Sequence, residues 1–137
     1  MKTLSIALAV LAMALTPPAE AGAKNIVIVH GAFADGSGWR PIATILEHDG
    51  YSVYVVQEPL TSWAADLAAT RNVLDRAGPC VLVAHSWGGM IITEVGDRPS
   101  VRSLVYVAAF EPDVGETAGA LQAKNPPAGR QSVLGAS

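Results

Sequence analysis

The sequence predicts an α/β fold: a parallel sheet of about four strands flanked by helices. Four short β-rich runs recur along the chain, and each interval between them carries apolar residues at helical spacing. The runs are apolar at nearly every position rather than alternating, as expected of strands covered on both faces. Strand–helix–strand units of this kind impose right-handed crossovers and therefore parallel neighbours.

The first run, NIVIVH, spans Asn25 to His30. After a glycine-rich loop, Trp39, Ile42, Ala43 and Leu46 recur at i, i+3, i+4 and i+7, the stripe of an amphipathic helix. Asp49-Gly50 ends it, because Gly50 takes the left-handed C′ conformation without strain. SVYVV, Ser52 to Val56, is the second strand. Thr61 or Ser62 caps the next helix, with Ala64, Leu67, Ala68 and Leu74 on its apolar stripe, and Gly78-Pro79 stops it. Cys80 to His85 is the third strand. Gly88 to about Asp97 is the third helix, halted before Pro99, and Val101 to Phe110 is the fourth strand. Beyond Phe110 the pattern fades into Gly, Pro and Ala, with a brief helix expected over Ala118 to Lys124.

The chain has 137 residues, 50% of them hydrophobic and 15% charged, with a net charge of −3. That balance suits a folded domain and offers no basic surface to nucleic acid. Residues 1–23 have the pattern of a secretory signal peptide: Lys2, an apolar stretch from Leu4 to Leu15, Pro17-Pro18, then Ala-x-Ala sites ending at Ala21 and Ala23. The apolar stretch is short against the roughly 20 residues that span a bilayer. A periplasmic or secreted protein with no stable membrane anchor is expected. The domain core is then 24–117, and 118–137 is the start of a cap or a disordered tail. Cys80, the single cysteine, sits in an apolar run and is expected to be a buried structural thiol.

In an open parallel sheet, ligands bind beyond the carboxyl ends of the strands. The third strand ends in Ala84-His85-Ser86-Trp87-Gly88, a small-x-Ser-x-small pattern. A side chain is presented at the tip of a sharp strand-to-helix turn only if the residues two positions away are small, since larger ones collide with the adjoining strand and helix. Gly89 eases the helix start further. Ser86 then lies at a helix N-terminus, where free N–H groups favour negative charge. The first strand ends in His30-Gly31-Ala32-Phe33 followed by ADGSG. This is no phosphate loop. Gly36 is followed by Ser37-Gly38 instead of Lys and Ser/Thr, and Pro41 occupies the third glycine position of a dinucleotide loop. An oxyanion hole fits better, with the backbone N–H groups of Ala32 and Trp87 directed at a carbonyl oxygen over Ser86. No cofactor or metal is implied. His30 is expected to hold the loop by hydrogen bonds, His85 to pack in the core, His48 to be solvated, and Asp113 to serve a turn.

NIVIVHGAFADGSGW, VLVAHSWGGM and LVYVAAFEPDVGE together resemble the N-terminal half of an α/β-hydrolase, from about Lys24 to Gly119. They are most similar to the small-esterase branch that includes plant methyl-ester esterases and hydroxynitrile lyases. The resemblance implies Ser86 as nucleophile, Ala32 and Trp87 as oxyanion donors, and a cap following EPDVGET. Ala84 stands where many such proteins have glycine.

A serine needs a histidine within about 3 Å to take its proton. In that family the order is Ser, acid, His, yet no histidine follows His85. A truncated α/β-hydrolase fold is therefore expected, a carboxylesterase-like serine hydrolase acting on a small ester or carbonyl substrate and inactive as this chain alone. Two alternatives stay open: a non-catalytic module binding small carbonyl ligands, and one half of a split or swapped enzyme. The fourth strand would leave an apolar edge bare, so self-association through it is expected.

Overall fold

The computed structural model describes residues 22–124. Four strands, β1 Asn25–Val29, β2 Ser52–Val55, β3 Cys80–Ser86 and β4 Val101–Ala109, form one parallel sheet in the order β2-β1-β3-β4. Between them run α1 Arg40–His48, entered through a 3-10 turn at Gly36–Trp39, then α2 Trp63–Ala77 and α3 Gly88–Val95. A short α4, Ala118–Lys124, follows β4. Each strand and helix lies where the apolar runs and periodicities place it, within one or two residues. The expected signal peptide lies outside the described residues except for Gly22 and Ala23, as does the tail 125–137. Among the described residues no helix is long and apolar enough to cross a membrane.

Alternation along the strands sorts side chains between two faces. Val27 and Val29 of β1 and Leu82 and Ala84 of β3 meet Leu67 and Leu74 of α2 and Ile91, Ile92 and Val95 of α3 in one buried cluster. Each fully buried leucine or isoleucine there contributes about 2 kcal/mol. Cys80 joins the cluster with 0% exposure as a free thiol, and burial pushes its pKa up. Among the described residues the opposite face receives α1, which buries no residue and leaves Ile42 and Ile45 exposed. Among the described residues β4 pairs with β3 alone, and its Val105 and Val107 are exposed. This is the edge at which self-association is expected.

The ends of α2 obey local chemistry. Ser62 Oγ accepts from the Ala65 amide at 3.1 Å, and Gly78 leaves the helix at φ 68°. Replacing Ser62 by alanine strands that amide. The urea midpoint of Ser62→Ala should fall by the equivalent of about 1 kcal/mol. The stripe expected on this helix is partly wrong, because Ala64 and Ala68 are exposed. The buried positions are Asp66, Leu67, Thr70, Leu74 and Ala77. The helix is rotated to turn a carboxylate and a hydroxyl inward, which hydrophobicity alone does not anticipate. Thr70 satisfies its hydroxyl by donating to the Asp66 carbonyl at 3.0 Å.

Candidate active site

Ser86 closes β3 at φ 51°, a left-handed conformation that non-glycine residues adopt at a cost of about 1–3 kcal/mol. The strain persists because the turn is packed on both sides. A Cβ on Gly88 would lie 2.7 Å from the His30 carbonyl oxygen, and one on Gly89 would lie 2.0 Å from that of Phe110. The small residues after Ser86 thus let α3 start in contact with β1 and with the end of β4. Gly89 does more than ease the helix start. On the other flank, a Cβ on Gly31 would lie 3.0 Å from Ser86 Cβ, so the loop after β1 abuts the serine.

The two sequence motifs are therefore brought together. Among the described residues, neither the Ala32 nor the Trp87 amide donates a hydrogen bond, and the Ser86 hydroxyl has no partner. Phe33 (φ 64°) and Leu60 (φ 54°) are likewise left-handed. With Ala32, Trp63, Asp66 and Trp87 they line a cavity of about 470 Å³. Its wall is aromatic: the Trp63 and Trp87 rings meet edge to face, 5.7 Å apart at 76°. A larger hollow of about 530 Å³, among Asp35, Arg40, Glu47 and Gln57, meets the glycine loop only at Asp35, Gly36 and Ser37 and includes none of Ala32, Ser86 and Trp87. Among the described residues no group of three or more His, Cys, Asp or Glu is placed to hold a metal ion.

His30 is 1% exposed and holds the loop as expected. The Glu58 amide can only donate, so His30 Nε2 accepts from it at 3.1 Å, and Nδ1–H donates to the Gly31 carbonyl at 2.9 Å. His48 is solvated, its side chain 90% exposed. Asp113 serves a turn: its amide donates to Glu116 Oε2 at 2.9 Å and its carbonyl accepts from the Glu116 amide at 3.0 Å. His85 corrects an expectation. It is not among the residues lining the cavity of Trp63 and Trp87, and it is exposed rather than packed in a core. It lines a small hollow with Ile42 of α1, Trp39 of the 3-10 turn and Gly31, where a Cβ on Gly31 would lie 3.1 Å from His85 Nδ1.

Two buried acids escaped the sequence reading. Asp66, 2% exposed, accepts from the Leu60 amide at 2.8 Å and from Trp87 Nε1 at 3.4 Å. Glu58, 7% exposed, has no hydrogen bond to either carboxyl oxygen. Burial, and then the nearby Asp66 charge, raise its pKa to about 8. The one available signal was position. QEPL follows the carboxyl end of β2, on the ligand-binding side of the sheet, and Asp66 falls in the first turn of α2.

A parallel sheet of this order, with a strained serine between β3 and α3 and a glycine loop closing over it from β1, defines a hydrolase-type fold. The alpha/beta hydrolase family profile matches residues 26–136, and the chain belongs to that family. A carbendazim hydrolyzing esterase of Nocardioides sp. is 36% identical over 115 residues, 73% of this chain and 48% of that protein. A probable hydrolase, R7, of a Phoma species is 30% identical over 109 residues, 67% of this chain and 45% of its own. Among solved structures, an extracellular alpha/beta-hydrolase from a Paenibacillus species superposes with a TM-score of 0.59 at 21% identity, covering 72% of this chain and 48% of that one. A pyrethroid hydrolase superposes with a TM-score of 0.56 at 24% identity, covering 63% and 40%. The chain spans about half the length of the curated relatives it matches.

Proposed function

We propose that this protein is a secreted or periplasmic serine hydrolase acting on small carboxylic esters, with Ser86 as nucleophile and the backbone N–H groups of Ala32 and Trp87 as the oxyanion hole. The observation that carries it is the junction of Gly31 with Ser86: a serine at positive φ abuts the loop that leads into Ala32, and among the described residues neither the Ala32 nor the Trp87 amide has a partner. Strain of this kind is kept where a side chain must be aimed. Two amides beside a nucleophile stabilise the oxyanion of a tetrahedral intermediate. The esterase and hydrolase names of the relatives support the same chemistry. The aromatic cavity next to the hole suits an apolar group on the ester.

The proton acceptor is the missing part. His30 has both ring nitrogens engaged, His48 is on the surface, and His85 is exposed with no hydrogen bond to Ser86, lining a separate hollow beside Ile42. This proposal assigns the proton-accepting role to none of His30, His48 and His85, and the 137-residue chain by itself is expected not to turn esters over. Added imidazole should then serve in its place. With a fluorophosphonate probe, Ser86 Oγ bonds to phosphorus, fluoride leaves, and imidazole takes the proton. One phosphonyl adduct, formed at a rate rising with imidazole concentration, is the expected mass-spectrometric result. Ser86→Ala should lose at least ~100-fold of that rate, and His85→Ala should keep it. Equal labelling of Ser86→Ala would reject Ser86 as nucleophile. Ester turnover without imidazole would reject the missing-base claim.

A further inference from the structure

We infer that Asp66 is a positioning residue for the reaction at Ser86, its carboxylate tying the Trp87 indole to the Leu60 backbone and so fixing the Trp87 amide opposite Ala32. The inference rests on the proposed role of Ser86 and of the two amides, and goes beyond it to the group that orients one of them.

Asp66 sits in the first turn of α2, where its own amide donates to the Ser62 carbonyl at 3.1 Å and its carbonyl accepts from Thr70. Its backbone is thus fixed to a helix anchored in the main buried cluster through Leu67 and Leu74. The two carboxylate oxygens divide their work. Oδ1 accepts from Leu60, a residue held at φ 54° on the cavity wall, and Oδ2 accepts from Trp87 Nε1. The second contact, 3.4 Å, is long, and hydrogen bonds in a free active site often tighten only when the reacting complex forms. Trp63 meets the Trp87 ring edge to face, so the indole is gripped by an acid at its nitrogen and a ring on its body.

Trp87 is the hinge between strand and helix, with φ −53° and ψ −38°. Rotation of its peptide swings the amide away from the position shared with Ala32, and the indole is the lever that prevents it. Trp87 follows a strained serine directly, so that restraint matters more here than in an ordinary helix start. A buried carboxylate with no cation bonded to it is expensive to keep. Packing alone would be served by an apolar residue. The two N–H donors here reach separate oxygens, Oδ1 and Oδ2, and aspartate is the smallest side chain with two acceptor oxygens.

The test compares Asp66→Asn and Trp87→Phe with the parent chain in the imidazole-assisted phosphonylation of Ser86. Asparagine has one acceptor oxygen and leaves one donor unpaired. Phenylalanine keeps the Asp66–Leu60 bond and removes only the indole N–H. For both variants the maximal labelling rate should fall roughly 10-fold or more, while the probe concentration giving half that rate changes less than about 3-fold. In 1H–15N spectra the Trp87 indole signal of Asp66→Asn should move upfield, with that of Trp39 unmoved. If Trp87→Phe labels at the parent rate while Ser86→Ala does not label, the positioning role is wrong and the role of Ser86 stands. A Trp87 indole signal unchanged by Asp66→Asn overturns it too. Labelling undiminished in Ser86→Ala removes the reading beneath it. Should Asp66→Asn fail to fold, Trp87→Phe decides the question.

Discussion

Glu58→Gln is expected to make the chain more stable at pH 8, by up to roughly 4 kcal/mol, and to flatten its dependence on pH. The Glu58 side chain is buried with neither oxygen bonded to a donor. His30 cannot relieve it. Its Nδ1 is 3.6 Å from Glu58 Oε2, and that nitrogen's proton is directed at the Gly31 carbonyl. Loss of hydration, then the charge of Asp66, raise the Glu58 pKa from an ordinary 4.5 to about 8. Below about pH 4.5 the carboxyl is protonated in folded and unfolded chains alike, and stability does not depend on it. Between about 4.5 and about 8 the folded chain keeps a proton that the unfolded chain has released. Stability therefore falls as pH rises through this window, at up to roughly 1.4 kcal/mol per pH unit. Above it the full cost of a buried charge is present. Glutamine has nearly the same shape and never ionises. Urea midpoints measured from pH 5 to 8.5 on both proteins isolate the residue, since their other titrations are shared. Parallel curves would show that Glu58 is charged without penalty and that its surroundings are wetter than they appear.

Gly89→Ala should destabilise the fold by about 3 kcal/mol and suppress labelling of Ser86 at least tenfold. The added methyl would sit 2.0 Å from the Phe110 carbonyl oxygen and 2.9 Å from Ala109 Cβ. The nearest of these atoms is backbone, so no rotamer change relieves the overlap, and overpacking of this kind costs about 1–3 kcal/mol or more. Relief requires α3 to lift from the end of β4. Phe110 donates to the Ser86 carbonyl at 3.1 Å, so that movement drags the strained turn with it. Gly119→Ala is the control. It places the same methyl in a helix with nothing within 4 Å, and alanine there should add stability, by about 0.5–1 kcal/mol. A Gly89→Ala chain with unchanged urea midpoint would mean that α3 does not approach β4 this closely.

Gly89 also marks how far the sequence could be read. The small residues around Ser86 announced a tight turn, because the collisions they avoid arise within a few residues. Which atoms Gly89 avoids was not legible, since Phe110 arrives from the far end of another strand. The case of α2 is similar. The cap, expected at Thr61 or Ser62 and found at Ser62, and the terminator Gly78 are local and legible in the sequence. The buried face was misassigned at Ala64 and Ala68 because inward-facing Asp66 and Thr70 break the hydrophobic rule. His85 was expected in a core, but what covers a side chain depends on the elements packed over it.

The sequence by itself determined the alternation of strands and helices, their ends, and the serine turn. Period, capping and steric exclusion are properties of neighbouring residues. Only the tertiary structure decided the strand order β2-β1-β3-β4, the seating of Gly31 against Ser86, the burial of Glu58 beside His30 and that of Asp66 against Trp87. Those depend on which distant segments meet. Desolvation and contact are set by the atoms on the other side of an interface, and no local pattern encodes them.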